Sequence, residues 1–176
     1  PLAGDTVRMT NRAWAFSIEA LRVALGLEQL VFINDFTALA LALPRLGGTD
    51  LEQIGGGTPQ PNAPLALLGA GTGLGVSGLI PCGAGWQPLA GEGGHVSLAA
   101  GNAREAAIIA VLAARFGHVS AERALSGPGI AALHDAIRQL EGAPPCQLDS
   151  REISARALAG SCPYCSEALD VFCALL

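Results

Sequence analysis

The longest uncharged stretch of the chain limits most strongly how it can fold. No Asp, Glu, Lys or Arg occurs between Glu52 and Glu92. Its most apolar part, residues 65–80, is shorter than the ~20 residues of a membrane-spanning helix. It also carries five glycines between Pro64 and Pro81. We therefore predict that this stretch forms buried strands of a water-soluble domain rather than a membrane span.

The same stretch predicts a β-hairpin. Residues 65–68 and 76–80 are apolar segments typical of strands, and a glycine-rich turn joins them. Glycines at alternate positions permit positive φ and remove Cβ atoms, so that consecutive backbone amides can approach a phosphate. Gly71, Thr72 and Gly73 are therefore candidates for binding nucleotide phosphates. A tight hairpin without any ligand explains the pattern equally well.

The sequence disfavours one other nucleotide-binding motif and excludes a second. A dinucleotide-binding turn has the spacing Gly-x-Gly-x-x-Gly and leads into a helix, whereas Gly71, Gly73 and Gly75 are evenly spaced and precede a strand. A Walker loop ends in Gly-Lys-Ser/Thr, and the chain contains no lysine.

Strand and helix patterns alternate along the first part of the chain, and helices predominate in the last. Residues 30–33 are typical of a buried parallel strand, with Asn34 and Asp35 at its carboxyl end, where ligands bind in open α/β sheets. Pro44 to Pro64 has the composition of a linker or a crossing between domains. We predict helices at 18–25, with Ser17 as N-cap, and at 37–43, 103–116, 129–140, 151–159 and from 163 onward.

Charge and cysteine content narrow the function. The net charge is −5 and no cluster of arginines occurs, which argues against binding to nucleic acid or anionic membranes. Five cysteines suggest free thiols in a reducing cytoplasm. Cys162-Pro-Tyr-Cys165 matches the redox motif of glutaredoxins, but a helix is predicted upstream of it, where that fold needs a strand.

Two further groups of residues could carry chemistry. Asp35 could accept a proton from a substrate hydroxyl, or it could simply cap the helix that follows. Glu92 and His95 could hold the hydroxyls of one small ligand, or they could pair with each other in a surface turn. We predict no metal site, because His118 and His134 lie far from His95 in the sequence.

The combination of motifs resembles the bacterial glucokinase family. The matching segments follow that family's order and spacing, and they are Trp14–Ser17, Ile33–Ala38, Gly69–Val76, Leu89–Val96, Gly117–Arg123 and Leu125–Gly129. The resemblance runs along essentially the whole chain. The cysteine-rich zinc motif of the related repressor and sugar-kinase family is missing, which favours the glucokinase branch.

The resemblance implies an α/β chain with an actin-like ATPase (ribonuclease H-like) fold, in which parts of two α/β domains flank a cleft. Residues 1–45 would belong to the small domain and 46–176 to the large one. The implied activity is ATP- and Mg²⁺-dependent phosphorylation of glucose to glucose 6-phosphate by a cytoplasmic enzyme that is a homodimer at full length.

The resemblance also assigns roles to residues. Asp35 would be the base on the 6-hydroxyl, and the turn Gly71, Thr72 and Gly73 would face the ATP phosphates. Glucose would be held by Asn34, Asp35, Glu92, His95 and Glu122. In isolation Glu122 is an ordinary charge at a helix start, and only the matching residues around it single it out.

We expect the chain to be an internal fragment of a longer protein. It lacks the family's N-terminal Asp-x-Gly-Gly-Thr loop and C-terminal adenosine segment, begins without Met and stops inside an amphipathic helix. Such a fragment should turn over slowly or not at all. Two alternatives remain: a non-catalytic sugar-sensing module of the same fold, and a redox protein acting through Cys162 and Cys165.

Overall fold

A small antiparallel sheet and a helix begin the chain. The computed structural model describes residues 2–8 and 13–176. Strands β1 (Leu2–Ala3), β2 (Thr6–Arg8) and β3 (Ala15–Ser17) pair in that order, and α1 (Ile18–Ala24) follows. The Ser17 hydroxyl accepts a 2.9 Å hydrogen bond from the Ala20 N–H, which confirms the predicted N-cap.

The predicted strand at residues 30–33 is wrong. These residues form no regular secondary structure, and the side chains of Val31 and Ile33 are 65% and 51% exposed. A buried parallel strand needs hydrogen-bonded neighbours, and no described strand pairs with this segment. Phe32 instead packs its ring against Phe16, with 5.3 Å between the ring centroids. The segment then leads into α2 (Asp35–Ala42) and a 3₁₀ turn at Leu43–Arg45.

The uncharged stretch forms a second antiparallel sheet. Strands β4 (Leu65–Ala70) and β5 (Leu74–Cys82) form the predicted hairpin, with Ala70 opposite Leu74 at its closed end. A third strand, β6 (Gly85–Leu89), pairs with β5 and was not predicted. Helix α2 lies against all three strands, so that its N-terminus is close to the hairpin turn.

The helical part of the chain matches the prediction closely. It contains α3 (Ala103–Phe116), the short α4 (Ala121–Ala124), α5 (Gly127–Leu140), α6 (Ser150–Leu158) and α7 (Pro163–Leu175). The Asn102 side chain accepts from the Glu105 N–H at 2.9 Å, and Gly117 ends α3 with φ of 75°. The helices enclose one apolar core, whose most buried members include Ile108, Leu112, Leu133, Ile137 and Ile153.

Hydrogen bonds attach the helical layer to the second sheet and to the segment that follows it. The Gly127 N–H, at the start of α5, donates to the Gly71 carbonyl at 2.8 Å. The Ala121 N–H, at the start of α4, donates to the Val96 carbonyl at 2.8 Å. The first bond brings the N-terminus of α5 to the hairpin turn, and the second holds the N-terminus of α4 against the segment that follows Glu92. Among the described helices, none has the length and apolar character needed to cross a bilayer.

Candidate active site

A cleft of about 440 Å³ lies where the hairpin turn meets α2 and α4. Its walls come from four separate segments of the chain. The lining residues are Asn34, Asp35, Phe36, Gly69, Ala70, Gly71, Thr72, Gly73, Leu74, Gly75, Val76, Gly91, Glu92 and Glu122. The cleft therefore unites the predicted base, the predicted phosphate-binding turn and two of the predicted sugar-binding carboxylates.

Asn34, and not Asp35, caps helix α2. The Asn34 Oδ1 accepts hydrogen bonds from the N–H groups of Phe36 and Thr37, at 2.9 and 3.2 Å. Asp35 is the first residue of the helix; its side chain is exposed and, among the described residues, accepts only a 3.0 Å bond from the adjacent Phe36 N–H. The hypothesis that Asp35 serves simply as the cap is wrong, and its carboxylate is accessible from the cleft.

Two glycines of the hairpin turn, Gly73 and Gly75, are in close contact with other side chains, whereas a Cβ at Gly71 would meet nothing within 4 Å. None of Gly71, Gly73 and Gly75 has a positive φ, so the expected conformational reason does not apply. A Cβ at Gly75 would lie 2.0 Å from the ring of Phe36, and a Cβ at Gly73 would lie 2.2 Å from Oε2 of Glu122. Phe36, which sequence reasoning missed, thus holds α2 directly against the hairpin.

Glu122 contacts the turn through a hydrogen bond. Its Oε2 accepts from the Leu74 N–H at 3.1 Å, across 48 residues of sequence. The side chain is half-buried, and the short helix α4 carries it to the cleft. No local pattern distinguishes this glutamate, so only family resemblance could have found it.

Glu92 lies in the cleft wall because the residues after it pack tightly on β5. Glu92 precedes a 3₁₀ turn at Gly93–His95. A Cβ at Gly93 would lie 2.7 Å from the Val76 side chain, and one at Gly94 would lie 2.2 Å from the Leu74 carbonyl oxygen. The spacing of glycines around Glu92 is therefore explained by direct contact between this turn and the strand.

His95 lies beside the cleft and does not line it. Its side chain is 66% exposed, and its Nε2 is 3.9 Å from Oε2 of Glu92. The structure thus brings four of the five predicted sugar-binding residues into one cleft, with His95 next to one of them. The sequence also allowed Glu92 and His95 to pair with each other in a surface turn. The 3.9 Å contact between their side chains agrees with that alternative.

Comparison with known proteins agrees with this geometry. The glucokinase family model matches residues 1–176. The chain belongs to the glucokinase family. It is 68% identical over its whole length to a glucokinase of Aromatoleum aromaticum and 60% identical to one of Chromobacterium violaceum, covering 53% and 51% of those proteins. This glucokinase-family chain therefore spans about half the length of the curated relatives it matches.

Solved structures confirm the fold. The crystal structure of a glucokinase from an Antarctic psychrotroph superposes with a TM-score of 0.86 at 37% identity, covering 98% of this chain and 54% of that one. A glucokinase of Balamuthia mandrillaris, crystallised with glucose, gives a TM-score of 0.69 at 22% identity over 96% of this chain and 53% of its own. The predicted actin-like ATPase architecture is confirmed.

The Cys162–Cys165 motif lies far along the chain from the residues that line the cleft. Helix α6 precedes it where a glutaredoxin-like fold needs a strand, and Cys162 is the residue before α7. Burial opposes ionisation of Cys162, but hydrogen bonds from Cys165 and Tyr164 lower the pKa of its thiol; burial raises the pKa of Cys165 to about 11. The redox-protein alternative is not supported, since both the fold and the family match are those of a glucokinase.

Proposed function

We propose that the full-length protein containing this chain transfers a phosphoryl group from ATP to the 6-hydroxyl of glucose. The observation that carries the proposal is the single cleft shared by Asp35, the glycine turn, Glu92 and Glu122. The family membership supports the same reaction. The sugar-sensing alternative is weakened, because a binding module has no need for an accessible carboxylate at position 35.

The polar groups of the cleft suit a sugar. Carboxylates of Glu92 and Glu122 accept hydrogen bonds from hydroxyl groups, as glucose requires at several positions. The Asn34 Oδ1 is occupied by the helix cap, which leaves the side-chain NH₂ to donate to a sugar oxygen. His95, adjacent to Glu92, would join the sugar by a small rotation of its exposed side chain.

Asp35 is assigned as the general base. Phosphoryl transfer depends mainly on positioning and charge neutralisation, with a carboxylate accepting the proton of the attacking hydroxyl. Asp35 begins a helix that Phe36 fixes against the hairpin, so its position relative to the turn is well defined. A group of this kind contributes typically 10²–10⁴-fold to the rate, by the usual range for general bases.

ATP would approach the turn as its magnesium complex. Three carboxylates line the cleft, and they would repel a bare triphosphate. Mg²⁺ bound to the phosphates removes that repulsion, and such ions are usually held by substrate phosphates with few protein ligands. The Gly71 N–H is bonded to the Gly73 carbonyl, so we assign the amides of Thr72 and Gly73 to the phosphates.

Replacement of Asp35 tests the assignment. In the full-length protein, Asp35→Asn should lower kcat by about 10²–10⁴-fold while glucose binding, measured by calorimetry, is retained. The matched control is Asp50→Asn, because Asp50 accepts from the Gly47 N–H and does not line the cleft. Unchanged kcat in Asp35→Asn removes this residue from the mechanism. Glucose binding by the wild type without phosphorylation favours the sugar-sensing alternative.

The remaining expectations are part of the same proposal. The domain division at residue 45, the homodimer and the cytoplasmic location are predictions, and light scattering of the full-length protein measures the dimer directly.

We also propose that the 176-residue chain alone turns over slowly or not at all, because it spans only half of its relatives. Rapid glucose 6-phosphate production by the purified chain would contradict this.

A further inference from the structure

Three potential metal ligands meet inside the helical layer, between α5 and the start of α7. The ligand atoms of His134, Cys162 and Cys165 all lie within 4.8 Å of one another. His134 is 1% exposed and Cys165 is fully buried. Neither ring nitrogen of His134 has a hydrogen-bond partner in the described part of the chain. A buried polar group without a partner is costly, so this cluster requires an explanation.

The fold creates this cluster from distant parts of the sequence. His134 lies on the buried face of α5, next to Leu133, and Cys162 and Cys165 lie at the beginning of α7. The Cys-x-x-Cys spacing brings both sulfurs to one point, and the packing of α5 against α7 brings the imidazole there. The sequence showed only that His134 lies far from His95, and the fold brings it beside two cysteines instead.

We propose that His134, Cys162 and Cys165 bind one thiolate-preferring divalent ion, with Zn²⁺ as the matching ion, in a structural role. Zn²⁺ bonds sulfur at about 2.3 Å and imidazole nitrogen at about 2.0 Å, so tetrahedral ligand atoms are roughly 3.5–3.8 Å apart. The most widely separated ligand atoms would need to approach by about 1.3 Å at most, through small rotations of the three side chains. Two thiol protons pass to solvent on binding, and the fourth position, for which the described residues supply no further His, Cys, Asp or Glu ligand, would be filled by water.

No other group near His134 in the described part of the chain forms a hydrogen bond with its imidazole nitrogens. The nearest carboxylate oxygen, on Asp135, is 3.8 Å from Nδ1 and too distant for a hydrogen bond. A disulfide between Cys162 and Cys165 would remove both thiols and leave each ring nitrogen unbonded. Mg²⁺ prefers oxygen ligands, whereas two sulfurs and one imidazole select softer ions.

A bound ion would also brace the cleft. It would join α5 to α7, and α5 begins at Gly127, whose N–H donates to the Gly71 carbonyl of the glycine turn. Removing the ion should therefore loosen the helix that supports the turn. This consequence concerns stability, and it does not depend on which sugar the cleft binds.

Metal analysis of the full-length protein tests the proposal. Protein purified under reducing conditions from zinc-supplemented culture should contain about one zinc per chain by plasma mass spectrometry. Loading with Co²⁺ should give thiolate-to-cobalt charge-transfer bands, which one equivalent of Zn²⁺ abolishes. The double variant Cys162→Ala, Cys165→Ala should lose both signals. The control Cys82→Ala, Cys173→Ala, which removes two exposed thiols, should keep them.

Several results would overturn the proposal. The first is a wild-type protein that contains no zinc and shows no cobalt charge-transfer bands. The second is a Cys162→Ala, Cys165→Ala variant whose zinc content is unchanged. The third is a mass measurement showing that these two cysteines form a disulfide. If the Cys162→Ala, Cys165→Ala variant does not fold, the test rests on the cobalt bands of the Cys82→Ala, Cys173→Ala protein. Their presence supports the site and their absence removes it. With metal bound, chelator should lower Tm in the wild type, and an unchanged Tm counts against the structural role.

Discussion

A methyl group added at Gly94 should displace the turn that carries Glu92 from strand β5 and so distort the cleft. The Cβ of Gly94→Ala would lie 2.2 Å from the Leu74 carbonyl oxygen and 3.1 Å from the Leu74 Cβ. Ordinary contacts begin near 3.4 Å, so the turn carrying Glu92 and strand β5 must separate. Neither partner yields easily, because the carbonyl belongs to a buried strand residue and Gly94 is itself buried.

The expected magnitude follows from this collision. Overpacking of a well-packed region costs typically about 1–3 kcal/mol, and we expect Gly94→Ala to lower the free energy of unfolding by that amount. The Leu74 N–H also holds Glu122, so one displacement moves two carboxylates of the cleft. A misplacement on the order of 1 Å can reduce catalysis by about 10²-fold, and we expect a loss of that size in kcat/KM for glucose.

Gly91→Ala is the matched control for stability. Gly91 belongs to the same glycine-rich segment, has no positive φ and has nothing within 4 Å of an added Cβ. The free energy of unfolding of the Gly91→Ala variant should differ from that of the wild type by less than about 0.5 kcal/mol. Urea unfolding of both full-length variants, with a coupled assay for glucose 6-phosphate on Gly94→Ala, measures these quantities. Equal stability of the two variants would refute the argument that Gly94 is required by packing.

Three further predictions concern the fold. Leu133→Ala, at a fully buried position, should cost about 2–5 kcal/mol of unfolding free energy, whereas Leu158→Ala, at an 82% exposed position, should change it by less than about 0.5 kcal/mol in the same urea titration. Asn102→Ala removes the α3 N-cap and should cost about 0.5–2 kcal/mol, with Asn102→Ser, which keeps a capping oxygen without placing a second carboxylate beside Glu105, retaining more of the stability than Asn102→Ala. The Ser17 hydroxyl lowers the pKa of Asp5, so the stability it adds is present above the ordinary aspartate pKa and lost as pH falls through the folded-state value. The protection factor for hydrogen exchange at the start of α1, which corrects for the intrinsic pH dependence, should therefore fall in acid, and an equal fall in Asp5→Asn would contradict this.

Local sequence signals predicted most of the helical part. The caps at Ser17 and Asn102 and the stop at Gly117 depend on hydrogen bonds and dihedral angles within a few residues. The hairpin was likewise predictable, because its strands are adjacent in the chain. The strand predicted at residues 30–33 was wrong because a strand depends on a distant neighbour that the local pattern does not specify.

The candidate site shows the same division. Asp35, Glu92 and the glycine turn could be named from their motifs, but their convergence in one cleft depends on α2 packing against the hairpin. Two features are visible only when side chains are placed in space: the position of His95 outside the cleft, and the contact of Phe36 with Gly75.

The sequence by itself determined where helices start and stop, which strands form a hairpin, and which family the order of motifs resembles. Only the tertiary structure decided that Glu122 bonds Leu74 across 48 residues and that His134 meets Cys162 and Cys165. The physical reason is that capping and turn energies act between near neighbours in the chain. The choice of a distant partner instead follows from the burial of whole faces, which no short pattern encodes.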